Sequence, residues 1–168
     1  MSKLFYRGPS LAVLHTDYAT RHRIDAEAPV TSESSVVIDA TPAQVWEVLT
    51  DLRNWPAWAP DYEVLELDEM APGADFRWRL GKVRIRSRFA VVAPGRELTW
   101  SGVVFGYKAV DQQVLEALPD GRTRVTMRES LAGPLVSLFF GADKLRAGHD
   151  RYLAALKAEV TTRSAALR

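Results

Sequence analysis

The hydrophobic pattern changes period several times along the chain, and each change marks an element. Val36 to Ala40 alternates as a strand, and Thr41-Pro42-Ala43-Gln44 then opens a helix. Thr41 is a good N-cap, and Pro42 suits the first helical position, where its missing N–H is no loss. Val45, Trp46, Leu49 and Leu52 recur at helical spacing and give this segment one apolar face. The turn that follows sets Trp55 and Trp58 on either side of Pro56, so the loop is predicted to cover something apolar.

From Tyr62 onward the period is two. Glu63 to Glu69, Ala74 to Leu80, Val83 to Ala93, Arg96 to Val104, Tyr107 to Leu118 and Arg122 to Ala132 read as six strands. They are separated by short turn signals such as Pro72-Gly73, Gly81-Lys82 and Pro94-Gly95, so consecutive hairpins and a mostly antiparallel sheet are expected. Gly133-Pro134 ends the strands, and Leu135 to about Arg163 returns to helical spacing. Leu138, Ala142, Leu145, His149, Tyr152, Leu156 and Val160 form one stripe on that helix. A curved seven-stranded sheet can bury its concave face only by wrapping this last helix. Imperfect contact between the two layers predicts a cavity.

Residues 1–30 read as an N-terminal extension, because the stretch from Ala26 to Ser35 is polar and carries a proline. Ser10 to His22 is a candidate helix there, capped by Ser10 with Leu11, Leu14 and Tyr18 on one side. Residues 31–163 form the expected domain, and 164–168 a C-terminal tail. The 168 residues suffice for one domain with a real core. With 22 Lys+Arg against 21 Asp+Glu, overall charge predicts neither a nucleic-acid nor an acidic partner. The absence of cysteine excludes disulfides, a thiol nucleophile and thiolate metal sites. No apolar run reaches the roughly 20 residues that span a bilayer, and Leu11 to Leu14 is too short for a signal-peptide core. A cytoplasmic protein, monomeric or homodimeric, is the expectation.

The helix opening Thr41 to Trp46, the turn from Asp51 to Trp58 and the hairpin from Leu115 to Thr126, in this element order, resemble the START-like SRPBCC superfamily. Within it the chain is similar to bacterial proteins of the polyketide cyclase/dehydrase and lipid-transport group. The resemblance covers about residues 30–163 and implies an α+β helix-grip fold, with a curved antiparallel sheet around the C-terminal helix. Members of this group include ligand carriers and aromatase/cyclases, so the resemblance implies a hydrophobic ligand and leaves the activity open.

Strand parity names the side chains that should face the cavity. Phe76, Trp78 and Leu80 share one face, as do Val83, Ile85, Ser87, Phe89 and Val91; Leu98, Trp100, Gly102 and Val104; and Val125, Met127, Glu129 and Leu131. Leu145, His149 and Tyr152 face them from the helix, and Trp55 and Trp58 from the loop. Most of these side chains must serve the core, each contributing roughly 1.5–3 kcal/mol on full burial. The polar minority is less easily explained by packing. Glu129 between Met127 and Leu131 needs a partner, a raised pKa or water. Neither face of the sixth strand is cleanly apolar, and where relatives commonly carry a histidine and an aromatic this chain has Asp111 and Gln113. Tyr107, Asp111, Gln113, Glu129 and His149 are therefore expected to form a polar cluster inside an otherwise apolar pocket.

Three roles fit this pattern. The first is a carrier or sensor for a small hydrophobic or amphipathic molecule. The second is a cofactor-independent cyclase/dehydratase using Glu129, His149 or Asp111 as acid and base. The third is a protein or membrane interaction module, using the basic hairpin face of Arg77, Arg79, Lys82, Arg84, Arg86 and Arg88. That face reads more simply as a solvated surface offset by acids such as Glu66 and Glu97. Without interleaved exposed aromatics it does not predict nucleic-acid binding. His15, His22 and His149 show no metal-ligand spacing, and the chain has no G-x-S-x-G elbow, phosphate loop or dinucleotide fingerprint, so neither metal nor cofactor is expected. Gly133-Pro134 and Gly148 are places where a lid or helix could move.

Overall fold

The computed structural model describes residues 3–166. Seven strands form one antiparallel sheet in the order β1-β7-β6-β5-β4-β3-β2. They are β1 (Val30–Ile38), β2 (Tyr62–Leu67), β3 (Asp75–Leu80), β4 (Val83–Ala93), β5 (Glu97–Val104), β6 (Tyr107–Ala117) and β7 (Thr123–Ala132). Helical turns α1 (Leu11–Val13), α2 (Pro42–Thr50), α3 (Trp55–Trp58) and α4 (Val136–Phe139) precede the long helix α5 (Ala142–Ala166). The fold is α+β, a sheet gripping a C-terminal helix.

The start of α2 follows from its sequence. Thr41 Oγ1 accepts from Gln44 N, and Gln44 Oε1 accepts from Thr41 N, a reciprocal capping box with Pro42 inside it. The aromatic turn is a four-residue helix whose Trp55 is buried edge-on against Tyr62 and Trp78, with ring centroids 5.6 Å away in each case. Beneath it Phe76 and Phe89 stack at 4.2 Å.

Three expectations change. First, β1 begins at Val30, six residues before the clear alternation. Ser32 and Ser34 are its buried inward residues, and their polarity masks the strand in the sequence. These small side chains lie where α5 runs along β1. Second, the C-terminal helix is interrupted. Leu135 takes a left-handed φ of 61°, α4 ends at an extended Phe140, and α5 starts only at Ala142, after Gly141. Leu138 therefore points outward and is 66% exposed instead of heading the buried stripe. Third, a bulge between Phe89 and Val91 reverses the parity of β4, so Val92 packs on the main core and Ala90 on the opposite face.

The opposite, convex face of the sheet is covered by the N-terminal segment. Ser10 Oγ accepts from Val13 N, and the chain continues through a π-helical turn, Leu14–Tyr18, and a 3-10 turn, Ala19–Arg21. Leu14 and Ala19 are buried against Ala90 and Val110. Around them, His15 Nδ1 lies 2.9 Å from Ser101 Oγ, and His22 Nδ1 lies 2.7 Å from Glu97 Oε2.

Candidate functional site

A cavity of about 320 Å³ lies between α5 and the central strands, within the usual size of small-molecule sites. It exists because α5 packs closely along β1, α2 and α3 and stands away from β3 to β6. Its walls are mainly apolar: Trp55, Trp78 and Trp100 at one end, Ile85 and Met127 along the side, Val104 and Phe140 at the other.

The polar part of the lining is set by register. Asp111 on β6 stands directly opposite Glu129 on β7, and Gln113 opposite Met127, so two carboxyl groups share one inner face. His149 reaches the same place from α5 and bonds Glu129 through Nε2 at 2.8 Å. With Glu129 ionised, the imidazole N–H is the donor. Gln113 Nε2 donates to Asp111 Oδ1 at 3.2 Å. The ligand atoms of Asp111, Glu129 and His149 all lie within 4.8 Å of one another. The fold thus gathers a set that could also share a metal ion, a grouping that the sequence spacing of the histidines conceals.

The cluster is electrostatically unusual. Burial, and then the charge of Glu129, push the Asp111 carboxyl up to about 7, against an ordinary 3.8. Burial pulls the His149 imidazole down, but the Glu129 hydrogen bond and the surrounding carboxylates outweigh it and raise its pKa above 6.5. Asp111 therefore keeps its proton up to about pH 7, far above an ordinary aspartate. Close by, the Trp55 and Gln113 side chains adjoin the buried Tyr152 hydroxyl and interact with it, while His149 Nδ1 is buried without a hydrogen-bond partner among the described residues. Burial holds the Tyr152 hydroxyl pKa well above its ordinary value.

The sequence-predicted site residues divide into two groups. Trp55, Trp78, Trp100, Gln113, Met127, Leu145 and Tyr152 line the cavity with Asp111, Glu129 and His149. Phe76, Phe89 and Trp58 do not; they belong to the core behind it. Tyr107 is also absent from the polar cluster. Its ring packs on Phe140, with centroids 5.7 Å apart, over Gly133, where a Cβ would sit 2.4 Å from Tyr107 Cδ1. Gly133 thus makes room for a ring. Ser87 has a packing role too, accepting from Trp78 Nε1 at 3.0 Å beside Gly102, which has no Cβ to displace it.

Sequence reasoning missed Tyr62, Phe140, Lys144 and Arg151 in the lining. Tyr62 stacks on Trp78 at 5.8 Å and 8°; it was legible only as the position before a strand. Of the basic hairpin, Arg77, Arg79 and Arg88 pair with Glu66, Glu63 and Asp75. Glu97, expected to offset this face, instead binds His22, Thr99 and Gln112 beneath the N-terminal segment.

Residues 29–161 match the family model described as polyketide cyclase / dehydrase and lipid transport. Similar solved structures include a hypothetical protein from Helicobacter pylori, with a TM-score of 0.69, 16% identity, and coverage of 80% of this chain and 90% of that one. The Zhui aromatase/cyclase from a Streptomyces species gives a TM-score of 0.64 at 19% identity, over 80% of this chain and 94% of its own. A START superfamily protein from Mycobacterium smegmatis gives 0.64 at 14%, over 79% and 97%. At these identities the likeness concerns the fold. No curated protein matches the chain.

Proposed function

The chain belongs to the polyketide cyclase/dehydrase and lipid transport family, and we propose that it acts on a small amphipathic molecule in the cavity as a cofactor-independent acid/base enzyme of the cyclase/dehydratase kind. One observation carries this reading: a buried carboxyl that holds its proton to about pH 7 lies beside a Glu129–His149 pair in an apolar cavity. A group titrating near the working pH is suited to proton transfer. In a dehydration, the Glu129–His149 pair accepts a proton from the carbon next to a carbonyl. The C–H electrons form the new double bond, and Asp111 delivers its proton to the departing hydroxyl as the C–O bond breaks and water leaves. The unpartnered His149 Nδ1 favours a ligand with a polar atom of its own, because buried polar groups normally find partners.

The second reading is a carrier or sensor for a lipid-like or polyketide-like molecule. It is favoured by the internal bonds of the cluster, Gln113 to Asp111 and His149 to Glu129, which need no substrate to form. Native mass spectrometry of the purified protein, set against its denatured mass, identifies any retained molecule. That molecule, or a short β-hydroxy ketone thioester as probe, is then incubated with the wild type and Asp111→Asn. Loss of one water from the probe with the wild type alone supports the enzyme. Binding without chemical change in either protein supports the carrier.

A further inference from the structure

We propose that the rim of the cavity docks the protein on an anionic lipid bilayer. This rests on the ligand-cavity reading only for what the docking would serve. Antiparallel connectivity places the β3–β4 turn, the β5–β6 turn and the β7–α4–α5 connection at one end of the sheet. The half-exposed or exposed lining residues Leu80, Val83, Val104 and Lys144 are at this end, so the cavity opens here.

Four large apolar side chains are exposed at this end, on three separate elements. Phe105 is 75% exposed, Leu138 66%, Phe139 63% and Leu80 39%. Together they make half of the large exposed apolar residues of the described chain, and their concentration at one end distinguishes them from scattered surface residues. Phe105 also has a conformational cost. It and Gly106 form the two-residue β5–β6 turn with φ of 50° and 81°, a geometry that favours Asn-Gly and disfavours a bulky first residue. A strained, exposed phenyl group at a turn tip has no packing role that accounts for it.

Charge selects the occupant. Lys82 at the β3–β4 tip, Arg84 just behind it, and Lys144 and Arg151 on α5 are exposed and form no ion pair among the described residues. The exposed acids nearest to them are Asp143 beside Lys144, Asp150 beside Arg151, and Asp61 at the start of β2, which leaves the four cations in excess by one. Protruding apolar tips amid unpaired cations match a surface that is anionic outside and apolar within. A bilayer needs no shape complementarity, whereas a protein partner does. Leu80, Val104 and Phe140 would continue that apolar phase into the cavity.

Co-sedimentation of the full chain with phosphatidylcholine vesicles, with and without phosphatidylglycerol, tests the proposal. The wild type is expected to pellet with the anionic vesicles at low salt and to be released as salt rises. Phe105→Asn, which installs the residue the turn prefers, and Phe139→Ser should each weaken pelleting roughly tenfold, the change expected for withdrawing one aromatic side chain from an apolar phase. Leu65→Ser, which removes an exposed leucine from the middle of β2, should change it little. A wild type that stays in the supernatant with anionic vesicles overturns the proposal. So do Phe105→Asn and Phe139→Ser proteins that pellet like the wild type, a result that would place the vesicle contact elsewhere on the surface. Native mass spectrometry of the same samples keeps the two readings apart: pelleting without any retained small molecule supports docking while counting against the cavity reading.

Discussion

The two faces of the sheet carry the same chemical pair, a histidine bonded to a glutamate, in opposite surroundings. On the convex face Glu97 accepts from Thr99 and Gln112 as well as binding His22, so its carboxylate is fully supplied. His22 itself is largely in water, its side chain 61% exposed. That pair fastens the N-terminal segment to the sheet. On the concave face the His149 side chain is 4% exposed, its neighbour is a second acid, and the space beside it is a cavity. The difference teaches that a His–Glu bond alone is not a functional signal. It becomes one where a third titratable group is left incompletely satisfied next to room for a ligand.

The strongest way to break this comparison is to collapse the cavity's closed end. Trp55→Ala removes a buried indole that touches Tyr62, Trp78, Trp100 and Tyr152, and should cost about 3–5 kcal/mol, measured by denaturant unfolding. Retention of any ligand should be lost with it.

Asp111→Asn sharpens the contrast between the faces. Proton transfer on the probe should fall about 100-fold or more, while the protein becomes more stable above neutral pH because a buried charge is gone. The sign follows from linkage. The folded protein holds the Asp111 proton to about pH 7, whereas the unfolded chain releases it near 3.8. Between these values the folded state binds more protons, so stability falls as pH rises through that window. His149 acts in the same direction, since the stability from its raised pKa is present below 6.5 and lost as pH rises through the folded value. Melting temperatures followed across this range should decline in the wild type and flatten in Asp111→Asn. A wild-type profile that climbs with pH would show that Asp111 is ionised in the fold.

On the convex face, Leu14→Ala should cost about 2–3 kcal/mol by loosening the contact with Ala90 and Val110. Ligand retention, read by native mass, should be unchanged. The smallest effect is expected from His22→Ala, below about 1 kcal/mol in denaturant unfolding, because the pair is half in water and Glu97 keeps two donors.

Much of this arrangement is legible in the sequence for local reasons. Thr41, Pro42 and Gln44 specify the start of α2 through backbone groups within four residues of each other. Alternation and turn residues set the β3 to β7 meander, and parity alone puts Asp111, Gln113 and Glu129 on the inner face. The misses share one cause. Ser32 and Ser34 hide β1 because their burial depends on a helix over a hundred residues away. Tyr107 has the right parity, yet turns to Phe140 over Gly133. The break before α5 follows from how the chain leaves β7, and an unbroken run of helical spacing does not reveal it.

The sequence by itself therefore determined the order of elements, their inward faces and the identity of the polar residues among apolar ones, because capping, periodicity and turn chemistry act over a few residues. Only the tertiary structure decided which of those residues meet. The opposition of Asp111 and Glu129 depends on strand register, the arrival of His149 on the path of α5, and the cavity on where that helix leaves the sheet. These are distances between segments remote in the chain, and packing of the whole domain sets them.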